Sequence, residues 1–129
     1  MIYLKINEIL AIYEEVIRET GGSKGIRDIR LLESGVARPQ ATFGGEDLYP
    51  DVFSKAAALG HSIIQNHPFV DGNKRVGYMS MRIFLNINGY DIKASFADKY
   101  KFVMEIAEKI LNEESIAGWL KKHSWKEIL

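Results

Sequence analysis

No cysteine occurs among the 129 residues, which excludes a disulfide framework and any thiolate-held metal site. Seventeen basic and seventeen acidic side chains leave no net charge, so no global basic field draws in nucleic acid. Any anion binding must come from a local cluster, and direct nucleic-acid binding is not expected. No window approaches the roughly 18 apolar residues of a membrane span. The opening residues, MIYLKINEIL, lack a charged region followed by an apolar stretch of signal length. These absences lead to the expectation of a soluble protein of the cytoplasm with no membrane partner. What is present is ample apolar material: 47% of residues, enough for a real core in a single domain spanning 1–129.

The apolar spacing is mostly helical. Ile9, Ile12, Tyr13, Val16 and Ile17 form one face of a first helix, with Asn7 as its expected cap and Gly21-Gly22 as its stop. A shorter helix is expected over Asp28 to Ala37, with Pro39 beyond its end. Asp51 caps a third, whose face takes Val52, Ala56, Leu59 and Ile63, and Pro68 marks a break after about Asn66. A fourth starts near Asn73, carries Val76, Met79, Ile83, Phe84 and Ile87, and stops at Gly89. Ser95 and Asp98 form a box-like cap for a fifth, whose expected buried face is Phe96, Tyr100, Val103, Met104, Ala107, Ile110 and Leu111. A sixth runs from about Glu113 to Lys122. The fold class is therefore all-α, a compact helical bundle.

One stretch breaks the period. Ala41 to Pro50 holds Gly44-Gly45 between aromatic and apolar flanks, which signals a hairpin or flap before the pair of helices flanking Pro68. A plain surface loop is the alternative, but long loops in compact domains are often functional.

The chemistry concentrates between the third and fourth helices, in His67-Pro68-Phe69-Val70-Asp71-Gly72-Asn73-Lys74-Arg75. This segment runs into a helix N-terminus, where unpaired N–H groups and partial positive charge bind anions. Gly72 lets a ligand approach the backbone, and Asn73 offers a donor and an acceptor at the mouth. Lys74 and Arg75 oppose the helix macrodipole, a placement that makes sense if a phosphate chain sits among them. Asp71 suits a hard divalent cation such as Mg²⁺, which takes one or two carboxylates plus phosphate oxygens. An imidazole titrates near neutrality, so His67 can take a proton from an attacking hydroxyl. Phe69 reads as an apolar peg fixing the loop to the core. His61 and His123 read as an ordinary half-buried helix residue and a helix C-terminal cation, and Trp119 and Trp125 as core or rim. Each residue of the segment alone has an ordinary reading; nine residues in this combination are far more specific.

This combination resembles the Fic/Doc family, whose pattern His-Pro-Phe-x-Asp/Glu-Gly-Asn-Gly/Lys-Arg is matched at every position by His67 to Arg75. The flanking text, GIRDIRLLESGVARPQATFGGEDLYP upstream with FLNINGY and WLKKH downstream, is similar to the Doc (death-on-curing) branch, so the likeness covers roughly residues 20 to 123. The resemblance implies that His67 is the general base for a target hydroxyl and that Asp71 is the Mg²⁺ ligand. Gly72, Asn73, Lys74 and Arg75 become the phosphate site, with ATP and Mg²⁺ as cofactors. It makes Thr42, Phe43, Gly44 and Gly45 part of a flap that positions a target segment by strand-like pairing.

Two departures from the nucleotidyl-transferring members point to the Doc branch. Lys74 stands where they carry Gly, and Tyr78 stands where a second Arg follows the first by three residues. The resemblance then implies a serine/threonine kinase acting as the toxin of a type II toxin–antitoxin system. Its target is a hydroxyl of a translation elongation factor, and a small antitoxin inhibits it in trans. The family's inhibitory pattern Ser/Thr-x-x-x-Glu-Gly/Asn has its nearest match at Thr42 to Asp47, which lies in the flap, ends in Asp and reads as accidental. The alternatives are a protein adenylyltransferase, which would use the same base and metal, and an idle binding module, against which the intact His67 and Asp71 argue.

Overall fold

A computed structural model describes residues 1–127, and six helices carry most of them. The first helix, α1 (Ile6–Thr20), buries Ile9, Tyr13, Val16 and Ile17, the face its spacing predicts. Its cap differs from expectation. The helix starts before Asn7, Lys5 takes the cap position, and Glu8 reaches back to accept the Lys5 N–H at 2.9 Å. That single bond satisfies one N–H at the start of the helix without an Asn side chain. Asp28 caps α2 (Ile29–Ala37) through bonds from the Arg30 and Leu31 N–H groups. A 3₁₀ turn (Arg38–Gln40) follows, and then the expected hairpin: β1 (Thr42–Phe43) and β2 (Glu46–Asp47) pair antiparallel. Gly44 and Gly45 both adopt positive φ at its tip, the backbone of a type I′ turn.

The centre of the fold is α3 (Val52–Asn66). Ten of its fifteen residues are buried, so it must be covered on several sides. It packs on α2, on α4 (Asn73–Ile87), on α5 (Phe96–Ala107) and on α6 (Glu113–His123). The α3–α4 contact is tight because Gly77 faces it: a Cβ there would lie 2.5 Å from Ile64 Cγ1 and 3.3 Å from the Gly60 carbonyl. This contact fixes the two ends that flank Pro68.

Two features depart from the helical reading. A second ribbon joins β3 (Tyr90–Ile92) to β4 (Ser124–Lys126), with Asp91 opposite Trp125. Arg82 and Asn86 of α4 bind the Asp91 carboxylate at 3.0 to 3.3 Å, and the Arg82 bond is the chief reason its pKa falls to about 2. The fifth helix also presents a different face. Phe96 and Tyr100, expected inward, are 83% and 61% exposed, while Phe102 and Ile106 are buried. The physical reason is the α5–α6 contact, where Phe102 stacks on Trp119 at 3.8 Å and Trp119 on His123 at 4.0 Å. The helix also ends at Ala107, leaving Ile110 exposed beyond it. Trp125 is exposed on β4. Among the described residues no helix is long and apolar enough to cross a membrane.

Candidate active site

Between α3 and α4 the chain makes a short, heavily braced loop. His67 closes α3 in the left-handed region (φ 50°, ψ 59°) and is exposed. A non-glycine residue holds that conformation only where its surroundings over-determine it. Here the brace is the segment after α1. Arg27 donates from Nε to the His67 carbonyl at 2.6 Å and from Nη2 to the Asn66 carbonyl at 2.5 Å. The N–H groups of Arg27 and Asp28 both reach the Pro68 carbonyl, at 2.7 and 3.0 Å, and the Val70 N–H reaches the Gly25 carbonyl at 2.9 Å. Arg27 thus supplies both a forked donor and a positive charge where the α3 carbonyls end.

Phe69 is the expected peg: it is fully buried and stacks on Tyr13 at 4.2 Å, with the rings 6° from parallel. Tyr13 in turn accepts the Gly25 N–H at 2.6 Å, so one side chain of α1 holds both sides of the brace. Asn73 departs from its expected place at the mouth. Its side chain turns inward, takes the Phe69 N–H on Oδ1 and donates from Nδ2 to the Phe69 carbonyl, both at 2.9 Å. Buried polar groups must be paired, and a side-chain amide matches the N–H and the carbonyl of one residue donor for acceptor. Asn73 therefore shapes the loop, and its side chain is not a free phosphate donor.

The outer rim is polar. Gly72 sits at the α4 cap position with φ 82°, packed against Ile17 and Val16, and no side chain caps the helix behind it. The first-turn N–H groups of α4 are left for an outside acceptor. Lys74 and Arg75 are exposed on that first turn, and Arg75 lies 3.3 Å from Glu19 of α1. Asp71 is exposed beside them and accepts the Ser23 N–H at 3.2 Å and the Gly72 N–H at 2.9 Å. Gly22 lies under it, and a Cβ there would stand 2.7 Å from Asp71 Oδ2 and push the carboxylate aside. Among the described residues no three His, Cys, Asp or Glu side chains converge on one metal position. A divalent ion at Asp71 would have to complete its shell from water and ligand oxygens, which is how Mg²⁺ is ordinarily held on phosphates.

From this rim a groove of about 450 Å³ runs between α4 and α5, lined by Lys74, Tyr78, Phe96, Lys99 and Tyr100 among others. The Tyr78 hydroxyl is buried without a hydrogen-bond partner, and burial raises its pKa.

The hairpin is rooted at the other end of α3. Lys55 Nζ donates to the Pro39 carbonyl at 2.9 Å and lies 3.2 Å from Asp47 Oδ2. Arg38 binds Tyr49, Ser62 and, at 2.5 Å, Glu113. Thr42, Phe43, Gly44 and Gly45 are all exposed, with the Phe43 ring 81% open to solvent. His61 is half-buried beside this network, and burial pushes its imidazole below the ordinary pKa, with Glu113 opposing and Arg38 reinforcing.

The residues assigned from sequence thus fall into two groups. Asp71, Gly72, Lys74 and Arg75 lie on the loop and first turn that open α4, His67 closes α3 at the start of the same loop, and the flap residues form a hairpin mounted on α3. Sequence reasoning missed Tyr13, Gly22, Gly25 and Arg27, all of which act on the loop from about 40 residues or more away in the chain. The run GIRD, with an Arg just before a helix-capping Asp, was the available signal.

A family model described as "Fic/DOC family" matches residues 3–85. The chain is 45% identical over 102 residues to "Toxin Doc" of Mycolicibacterium smegmatis, covering 78% of each chain. It is 29% identical over 92 residues to "Protein kinase doc" of Escherichia phage P1, covering 71% of this chain and 72% of that one.

Proposed function

This chain belongs to the Fic/DOC family, in its Doc branch, and from that premise we propose that it is the toxin of a toxin–antitoxin pair, a kinase that phosphorylates a hydroxyl of a translation elongation factor. The observation that carries the reading is the rim itself: an exposed, braced His67 beside an uncapped helix N-terminus that bears Lys74 and Arg75 and is flanked by Asp71. When bound, Mg-ATP supplies the phosphoryl group and leaves as ADP. His67 takes the proton of the target serine or threonine hydroxyl on a ring nitrogen, which makes the oxygen a better nucleophile. Gly72 and the first-turn N–H groups of α4 face the phosphate oxygens, and Lys74 and Arg75 offset their charge. Arg75 exchanges Glu19 for phosphate when the site fills. Asp71 would hold Mg²⁺, which would offset charge on the phosphates. The relatives named a toxin and a protein kinase support this reading over transfer of AMP, as do Lys74 and the buried Tyr78. A small antitoxin inhibits in trans, and the reaction takes place in the cytoplasm, with neither membrane nor nucleic acid as a direct partner.

The deciding experiment adds the protein to a translating cell extract with ATP labelled at either the α or the γ phosphate. Label from the γ position is expected in one protein band. Label from the α position would replace the kinase with an adenylyltransferase, and no protein label from either would leave a binding module.

The metal assignment has its own test. Asp71→Asn is expected to raise the Mg²⁺ concentration for half-maximal rate by about tenfold or more, since an amide is a poor ligand for a hard cation. Gly22→Ala should shift the dependence the same way while keeping the carboxylate, because its Cβ would stand 2.7 Å from Asp71 Oδ2 and displace it. An unchanged Mg²⁺ dependence in both would place the metal elsewhere.

A further inference from the structure

Lys55 is 1% exposed, in the first turn of the most buried helix of the fold. Burying an ammonium is expensive, and a hydrophobe of similar volume commonly fits such a place as well or better. Its counter-charge does not explain it as a stabilising pair, because Asp47 is 51% exposed and well hydrated. The remaining partners are the Pro39 carbonyl at 2.9 Å and the face of the Tyr3 ring, 5.5 Å from Nζ. Two of these three contacts, Pro39 and Asp47, belong to the hairpin and the turn that leads into it. Pro39 lies in the turn that leads into β1, and Asp47 lies in β2. One buried cation therefore grips both stems of a six-residue ribbon whose strand residues are all exposed and which has little apolar packing of its own. A two-stranded ribbon of that size does not hold a fixed orientation in water by itself.

We propose that Lys55 is a positioning residue for the protein target: it fixes the orientation of the flap relative to α3, the helix whose far end presents His67. This inference rests on the kinase reading and on the flap as the element that receives the target segment. Lys55 and His67 are twelve residues apart on one continuous helix, about 18 Å of rise. The helix acts as a rigid ruler between the target's docking strand and the base. Loosening the Lys55 end lets the docked segment wander relative to His67, although the catalytic residues and the nucleotide rim stay as they were.

The test is Lys55→Met, which keeps an unbranched stem one atom shorter and removes the ammonium. Hydrogen exchange at the flap amides, above all the Leu48 N–H bound to the Ala41 carbonyl, reads the anchor without any reaction. Half-saturation in extract dilution and in ATP, measured with γ-labelled ATP, reads the target and nucleotide sites separately. Flap exchange is expected to quicken about tenfold or more, the scale of one charge-assisted hydrogen bond lost. Half-saturation for extract should rise by a similar factor, with that for ATP unchanged and the melting temperature equal or higher. Unchanged flap exchange overturns the proposal, and so does a parallel rise in both half-saturations. If Lys55→Met fails to fold, Asp47→Ala removes one hydrogen-bond partner at an exposed position, and flap exchange that does not quicken in that variant overturns it equally. If the wild type transfers no label, the kinase reading falls and takes the positioning role with it, while exchange still reports whether Lys55 anchors the ribbon.

Discussion

Replacing His67 with alanine is expected to lower transfer by about 100- to 10,000-fold while the protein stays folded. The size of the effect follows from the role: loss of a general base leaves the target hydroxyl protonated as it attacks. Survival of the fold follows from the placement. The imidazole is exposed at the end of α3, and the bonds that brace the loop reach the carbonyls of residues 66 to 68 rather than the ring. Alanine leaves those carbonyls in place. It must still adopt φ near 50°, as histidine does, so the backbone strain changes little. A His67→Asn variant serves as a control, since asparagine tolerates that region well and can accept a hydrogen bond but cannot take the proton. The measurement is label transferred from γ-labelled ATP, with circular dichroism melting beside it. Near-normal turnover by a folded His67→Ala protein would remove His67 from the chemistry.

Much of this arrangement was legible because it is local. Asp28, Asp51 and Ser95 cap helices through bonds that span two or three residues, and the apolar spacing of α1 and α3 sets their buried faces; on α4 only Val76 and Phe84 of the expected stripe are buried, while Met79, Ile83 and Ile87 are half-buried and Gly77, Ser80, Met81 and Leu85 complete the inner face. The Gly44-Gly45 pair specifies the tight turn of the flap within six residues. The nine-residue motif likewise holds its rim residues on one short loop and the first turn that follows. What was not legible depends on pairing across the chain. The β3–β4 ribbon joins segments more than 30 residues apart, and three-residue strands carry too little alternation to register as strands. Phe96 and Tyr100 have the spacing of a buried stripe, and only the stacking of Phe102 on Trp119 decides that α5 turns the other way. Asn73 had the right chemistry for the mouth and the wrong direction, because position within a motif does not say whether an amide faces a ligand or the backbone of Phe69. Lys55 sat unremarked on a helical face, since a lysine in sequence reads as solvated until its surroundings are known.

Arg27→Ala is expected to lower the turnover rate by about 10- to 100-fold, the scale of displacing a reacting group by roughly an ångström. Half-saturation for ATP should stay near its wild-type value. Arg27 lies outside the motif, and in the structure its guanidinium reaches the carbonyls of Asn66 and His67. Removing it leaves the last α3 carbonyls without their cation and His67 without the force that holds it left-handed. The nucleotide rim on α4 does not depend on it. Arg27→Lys restores the charge but offers a point donor in place of a planar fork, so it should recover only part of the rate. The double variant separates this account from a direct role. If Arg27 acts through His67, adding Arg27→Ala to His67→Ala costs nothing further, because the group being positioned is already gone. A full additional loss in the His67→Ala background would mean that Arg27 touches the target or the nucleotide itself. A single Arg27→Ala variant with an unchanged rate would show that the backbone bonds from Arg27 and Asp28 to Pro68, together with the Phe69 stack on Tyr13, hold the loop without it.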